Sequence, residues 1–187
     1  MSTHAQGTLR PPVSESDHAI GPDDAPVTLV EYGDYQCPHC ARAHPIITRV
    51  RKRLGSQLRF VFRNFPLNEL HPDALHAAEA AESVSAHAGN DAYLRMHDAI
   101  YEHQRDSEDA LDDAHLVQYA RDAGANAADV ETDLASDAFE EKVREDFMSG
   151  VRSGVNGTPT FFVNGRRFED DWTDPAAFAA ALEAAAR

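Results

Sequence analysis

The two cysteines of this 187-residue chain are separated by only two residues, in the segment Cys37-Pro38-His39-Cys40. Cysteines at this spacing can close a disulfide across one helical turn, because residues i and i+3 of a helix share a face. The pair could instead be two unrelated buried cysteines, or it could bind zinc, but a structural zinc site normally takes four ligands and the chain has no second cysteine pair. His39 and His44 would have to complete a cramped site, so the sequence favours a redox-active dithiol.

The segments on either side of the cysteines place Cys37 at the start of a helix. Val27 to Tyr32 is an apolar, β-rich run that predicts a buried strand. A helical pattern follows the cysteines and ends at Gly55. The unpaired N–H groups and the dipole of a helix start favour an anion, and Pro38 fits the first turn because its missing N–H costs nothing there. We therefore expect Cys37 to be a nucleophile with a low pKa.

A stabilised Cys37 thiolate would have three chemical consequences. It would be a reactive nucleophile and a good leaving group, and it would make the disulfide a stronger oxidant by stabilising the reduced state. His39 could add positive charge or a hydrogen-bond donor beside the sulfur. Cys40, further into the helix, would be the resolving thiol that attacks a mixed disulfide. Glu31, six residues before Cys37 in an apolar strand, is expected to have a raised pKa and to accept the proton of Cys40, unless it is an exposed strand-edge glutamate.

The rest of the chain predicts strand–helix–strand, then a helical block, then strand–strand–helix. A second strand over Leu58–Arg63 should lie parallel to the first through a right-handed crossover. From Pro72 to about Gly150 the apolar spacing is helical throughout. A hairpin then turns at Asn164-Gly165, a sequence that type I′ turns prefer, and a final helix begins after Asp174. The remaining histidines are scattered without metal-ligand spacing, so no metal site is predicted.

The chain is strongly acidic, with 17 Lys and Arg against 32 Asp and Glu and a formal net charge of −15 at pH 7. Such a chain repels phosphate backbones and anionic lipid surfaces, so neither nucleic acid nor a membrane is an expected partner. Lys52 and Lys142 are the only lysines, which indicates either a salt-loving source or GC-rich codon usage. Residues 1–17 lack the apolar stretch of a secretory signal, so we expect a cytoplasmic protein, or an exported one whose signal has been removed.

Two segments resemble the DsbA family within the thioredoxin superfamily. Val30 to Cys40 is similar to the family's active-site segment, and Gly157 to Gly165 is similar to its cis-proline loop and the strand that follows. The resemblance implies an α/β fold, thioredoxin-like with an all-helical insertion. It also implies that Pro159 is a cis-proline facing the cysteines, that Thr158 precedes it in a client-binding loop, and that Glu31 takes the place of a buried carboxylate.

On this resemblance the chain divides into four parts. Residues 1–17 would be a flexible N-terminal tail, and 18–66 the first half of a thioredoxin-like domain. Residues 67–150 would be the helical insertion, and 151–187 the second half of the domain.

The resemblance implies a protein dithiol–disulfide oxidoreductase that works through a Cys37 mixed disulfide resolved by Cys40. No cofactor beyond the Cys37–Cys40 disulfide is expected, and the expected partners of this monomer are protein thiol or disulfide clients and a redox recycling partner. Pro38-His39 favours oxidation of clients, whereas the lack of an export signal favours reduction, isomerisation or a stress role.

Two alternatives stay open. The first is a glutathione-linked enzyme on the same fold, such as the kappa-class transferases or hydroxychromene-carboxylate isomerases. Those enzymes commonly lack the second active-site cysteine, so Cys40 argues against this alternative. The second is a non-catalytic redox-sensing or chaperone-like binding module.

Overall fold

A mixed β-sheet forms the centre of the protein, for which the computed structural model describes residues 7–187. Within those residues the sheet has five strands in the order β1-β3-β2-β4-β5. Strands β2 and β3 are parallel, and every other neighbouring pair is antiparallel. The strands are β1 (His18–Ile20), β2 (Val27–Gly33), β3 (Leu58–Asn64), β4 (Thr160–Val163) and β5 (Arg166–Arg167).

Seven helices are present in the same part of the chain. They are α1 (Pro38–Leu54), α2 (Ala74–Ala88), α3 (Asn90–His103), α4 (Asp113–Asp122), α5 (Ala127–Ala135), α6 (Glu140–Arg152) and α7 (Pro175–Ala185). A short 3₁₀ turn, Gly55–Gln57, joins α1 to β3. Helix α1 packs against α7, while α2 to α6 form the insertion between β3 and β4. None of the helices in residues 7–187 has the length and apolar character that crossing a bilayer requires.

Strand β2 separates two hydrophobic cores. Successive strand residues point to opposite faces, so Leu29 joins the larger core and Val30 the smaller one. The larger core is built with α1, α7 and the insertion helices. The smaller core contains Leu9 from the N-terminal segment and is flanked by Phe147 of α6. Because both faces of β2 are covered, its carboxyl end delivers the cysteine segment from a rigid, buried strand.

The predicted fold class is confirmed, with two differences in detail. Strand β1 was not predicted, because its three residues are too few to show a strand pattern; it pairs antiparallel with the edge of β3. The expected flexible tail is wrong for residues 7–17, since Thr8 bridges to Arg166 and Leu9 is buried. Residues 1–6, also assigned to that tail, lie outside the described residues.

Arg63 at the end of β3 holds this N-terminal segment in place. Its guanidinium donates to both carboxylate oxygens of Asp17, at 2.7 and 3.0 Å. It also donates to the main-chain carbonyl oxygens of Pro11 and Pro12, at 3.0 and 3.2 Å. The side chains of Arg63 and Asp17 are only 3% and 7% exposed, so this ion pair is shielded from water.

The substitution Arg63→Ala is expected to lower the free energy of unfolding by about 3–5 kcal/mol, because it leaves the Asp17 carboxylate buried without its partner. Urea unfolding measures the change. Arg53→Ala is the matched control, since the Arg53–Glu183 pair is 51% and 37% exposed and such pairs contribute about 1 kcal/mol or less. Equal losses in the two variants would contradict the assignment of Arg63 as the residue that fastens the N-terminal segment.

Candidate active site

The two cysteines lie at the start of α1, directly after the turn that leaves β2. Cys37 is the N-cap residue in an extended conformation, and Pro38 is the first helical residue. The Ala41 N–H donates to the Cys37 carbonyl oxygen at 3.1 Å, which starts the helical hydrogen-bond pattern. Both cysteines are reduced and buried, Cys37 at 3% exposure and Cys40 at 0%. The nucleophile therefore sits where the free N–H groups of α1 point.

The surroundings of Cys37 favour its thiolate and lower its pKa to about 5. The largest cause is the hydrogen bond that the Cys40 thiol can donate to the Cys37 sulfur, and burial acts in the opposite direction. The Thr158 hydroxyl and the main-chain N–H groups of Cys40 and His39 add smaller contributions of the same sign. Thr158 Oγ1 is buried and has no hydrogen-bond partner of normal geometry among residues 7–187, so it is free to donate to the Cys37 thiolate.

The surroundings of Cys40 favour its protonated thiol instead. Burial raises the pKa of its thiol well above the ordinary value, and the nearby Cys37 and Glu31 charges act in the same direction. The Asp34 N–H lies 3.5 Å from the Cys40 sulfur and only partly offsets these effects. One sulfur of the pair is thus set up as an anion and the other as a thiol that needs a base.

The loop that carries Thr158 and Pro159 faces the nucleophile. The Thr158–Pro159 peptide bond is cis, and the Thr158 carbonyl oxygen lies 3.5 Å from the Cys37 sulfur. Thr160, the first residue of β4, donates to the Gly157 carbonyl oxygen at 2.7 Å and closes the loop. Thr158 and Pro159 are half-buried. This loop therefore borders Cys37 on the side where a client chain could approach.

Glu31 lies in the middle of β2, opposite Phe62 on β3 and Phe161 on β4. Its side chain is 2% exposed, and its Oε1 atom has no hydrogen-bond partner within the described part of the chain. Burial raises the pKa of Glu31 to about 8, and the negative charge of Cys37 adds to the rise. The strand-edge alternative for Glu31 is therefore wrong, and a buried acid lies close enough to sense both cysteines.

His39 and Pro38 are exposed at the helix start, beside the buried cysteines. The contribution of His39 to the Cys37 thiolate comes from its main-chain N–H. A contribution of the ring, in which the sequence indicated a source of positive charge, stays a prediction. Pro38 and His39 form the exposed rim of the site.

The sequence did not indicate Asp34, whose buried carboxylate fixes the turn before Cys37. Its Oδ1 accepts from the N–H groups of Gln36 and Cys37, at 2.8 and 3.1 Å. Its Oδ2 accepts from the Leu67 N–H at 2.8 Å and pairs with His71 Nδ1 at 2.7 Å. An aspartate that ends a strand and bonds to N–H groups two and three residues later is a common turn-former, so Asp34 could have been found by this pattern.

Two glutamines fasten the same turn to the helical insertion. The Gln36 side-chain amide donates to Asp73 Oδ2 at 2.8 Å and accepts from the Asp73 N–H at 2.7 Å. Gln104 Nε2, just after α3, donates to the Tyr35 carbonyl oxygen at 2.9 Å. These partners are far apart in the sequence, and no local pattern marks them. These hydrogen bonds from the insertion therefore hold the cysteine segment in place.

A family model described as thioredoxin matches residues 13–184. The chain belongs to the thioredoxin family. Among solved structures, BdbD from Bacillus subtilis superimposes with a TM-score of 0.85, at 25% identity over 97% of each chain. The disulfide bond oxidoreductase DsbG from Mycobacterium tuberculosis gives a TM-score of 0.69, at 21% identity over 90% of this chain and 86% of that one.

These structural neighbours give this thioredoxin-family chain the DsbA-like version of the fold. Its curated relatives are longer proteins. The Na(+)/H(+) antiporter NhaA 1 of Mycobacterium sp. (strain KMS) is 38% identical over 178 residues, which is 94% of this chain but 28% of the antiporter. The chain thus spans little more than a quarter of the relatives that it matches.

Proposed function

We propose that this protein is a protein dithiol–disulfide oxidoreductase that exchanges disulfides with client proteins through a Cys37 mixed disulfide. The observation that carries the proposal is that two thiols within one helical turn have pKa values shifted in opposite directions. The pKa of Cys37 is lowered to about 5, while the pKa of Cys40 is raised well above its usual value. At neutral pH this pair holds one ready nucleophile and one protonated resolving thiol.

In the reductive direction, the Cys37 thiolate attacks one sulfur of a client disulfide. The Cys37–client bond forms, the client disulfide breaks, and one client sulfur leaves as a thiolate. Cys40 then gives its proton to a base and attacks the Cys37 sulfur. The Cys37–Cys40 disulfide forms, and the second client sulfur leaves as a thiolate. The client gains two electrons and the protein dithiol loses them, and the oxidative direction reverses each step.

Glu31 is the base proposed for the second step. It is buried, it has an unpartnered oxygen among the described residues, and its charge acts on Cys40. A general base must ionise near the working pH, and burial brings the pKa of Glu31 to about 8.

The low pKa of Cys37 favours the oxidative direction. Stabilising the thiolate stabilises the reduced protein relative to its disulfide, so the disulfide is the stronger oxidant. The half-buried Thr158–Pro159 loop beside Cys37 offers an edge along which an extended client segment can lie. We therefore propose protein thiols as the preferred substrates and a separate redox partner that regenerates the disulfide.

A trapping experiment with a peptide disulfide as substrate tests the proposal. Cys40→Ser should accumulate a covalent mixed disulfide, visible on a non-reducing gel, because the resolving sulfur is gone. Cys37→Ser is the matched variant and should form no adduct, since the remaining thiol is buried and protonated. Insulin reduction should be lost in both variants.

The same variants separate the alternatives. A binding module would keep its activity in both, and a glutathione-linked enzyme would keep glutathione-dependent turnover in Cys40→Ser. Either result would contradict the proposed exchange reaction. The equilibrium constant of the dithiol against glutathione then fixes the preferred direction, and a value more reducing than glutathione would overturn the oxidative assignment.

A further inference from the structure

A second group of ionisable side chains lies within the helical insertion, outside the cysteine site. His76 and Glu79 are one turn apart on α2, and Asp137 lies between α5 and α6. Each of the three offers one donor atom, and these donor atoms all lie within 4.8 Å of one another. Imidazole nitrogen and carboxylate oxygen are both ligands of divalent transition metals.

Glu79 is the unusual member of this group. It is 1% exposed, yet both of its carboxylate oxygens lack a hydrogen-bond partner within residues 7–187. The Phe139 N–H at the start of α6 lies near the carboxylate and favours its charge, but makes no hydrogen bond of normal geometry with it. The charge of His76 favours the ionised Glu79 carboxylate, whereas the negative charges of Asp137 and Glu140 oppose it. A buried carboxylate in such a place is unfavourable unless it takes up a proton or a cation accompanies it.

His76 is already oriented toward this carboxylate group. Its Nδ1 atom lies 2.8 Å from Asp113 Oδ1, which leaves Nε2 free on the side of Asp137, 3.9 Å from Asp137 Oδ1. A carboxylate on the far nitrogen is the usual arrangement around a metal-bound histidine, because it fixes the tautomer and the ring orientation. The His76 side chain is 40% exposed, so an ion can reach the site from solvent.

We propose that His76, Glu79 and Asp137 bind a divalent transition-metal ion, with Zn²⁺ as the probe and with Asp113 orienting His76. Bonds of about 2.0–2.1 Å in a tetrahedral site place ligand atoms about 3.3 Å apart, so binding draws the donor atoms somewhat closer together. The bound ion would tie α2 to the start of α4 and to the turn between α5 and α6. Three protein ligands leave a further position for water.

The test is calorimetric titration of the oxidised protein with Zn²⁺, because closing the Cys37–Cys40 disulfide removes the thiols as competing ligands. One ion per chain and a raised unfolding temperature are expected. Glu79→Gln should weaken Zn²⁺ binding by at least about 10-fold, and Asp113→Asn by about 10–100-fold. His87→Gln is the matched control and should bind as the unchanged protein does, because His87 lies on the same helix with 38% exposure but pairs with Asp133.

Co²⁺ absorption gives an independent readout of the ligands. Bands of nitrogen and oxygen ligation, without thiolate charge transfer, are expected in the oxidised protein and should be lost in His76→Gln. His76 is partly exposed, so this variant keeps the test decisive if Glu79→Gln does not fold. No Zn²⁺ binding to the oxidised protein, or wild-type affinity in both His76→Gln and Glu79→Gln, would overturn the proposal. The proposal would also be overturned if Glu79→Gln lowered the free energy of unfolding equally with and without Zn²⁺. That result is expected if Glu79 only interacts with the N–H groups at the start of α6.

Discussion

Alkylation of Cys37 by iodoacetamide is expected to proceed at nearly the same rate from about pH 6 to about pH 9. Its pKa of about 5 means that the thiolate already predominates at the lower limit. A thiol that titrates at the ordinary value of 9.0 would instead react about 500-fold faster at the upper limit, because only its thiolate reacts. Mass spectrometry of the alkylated peptide follows Cys37 alone, and the buried Cys40 thiol should stay unmodified.

The variant Cys40→Ala tests the cause of this flat profile. The Cys40 thiol is the largest favourable influence on the Cys37 thiolate, so its removal should raise the Cys37 pKa by at least about one unit. Thr158→Val removes a smaller contribution and serves as the graded comparison. Thiolate absorbance against pH measures both. An unchanged Cys37 pKa in Cys40→Ala would mean that the helix start and the Thr158 loop stabilise the thiolate instead.

The same low pKa sets a pH dependence of stability. Folding depresses the pKa of Cys37 from 9.0 to about 5, so the thiolate stabilises the folded protein. This stabilisation is fully present at pH values above the pKa of the unfolded chain, 9.0, and it is lost as the pH falls through the pKa of the folded protein, about 5. The oxidised protein has no such thiolate. The stability of the reduced protein relative to the oxidised one should therefore decline on acidification across this window.

The features that sequence predicted well are those set by neighbouring residues. The strand ending at Gly33 and the helix starting after Cys37 follow from an apolar run and a proline at the first helical position. The hairpin turn follows from Asn164-Gly165, where φ is 48° and 79°, a region that glycine and asparagine tolerate. In each case the information lies within a few positions of the feature.

The features that sequence missed depend on partners far along the chain. The sequence of the N-terminal segment is that of a polar tail, but in the structure the buried Arg63 donates hydrogen bonds that hold this segment in place. His76 and Glu79 show a helical spacing, but Asp137 joins them only through the packing of α2 against the turn before α6. The expectation of no metal site rested on the spacing of the histidines along the chain, whereas the proposed site joins side chains across the folded insertion.

The substitution Glu31→Gln is expected to slow resolution of the Cys37 mixed disulfide by about 100-fold or more, the size of effect that loss of a general base produces. The Cys40 thiol has a pKa well above its usual value and is buried beside Glu31, so it needs an acceptor that bulk water does not supply. A quenched-flow experiment that begins with a preformed peptide mixed disulfide isolates this step from the first attack.

The pH profile separates a base from a merely structural residue. The pKa of Glu31 is about 8 partly because the Cys37 thiolate lies nearby, and the mixed disulfide removes that charge. Resolution in the unchanged protein should therefore rise with pH and reach half its maximum below this value, while Glu31→Gln should lose that rise. Glu82→Gln removes another buried carboxylate, 4% exposed, from the insertion and should leave the rate unchanged. If Glu31→Gln resolves the mixed disulfide at the unchanged rate, the proton of Cys40 leaves by another route, and Glu31 is no more than a buried acid of the central strand.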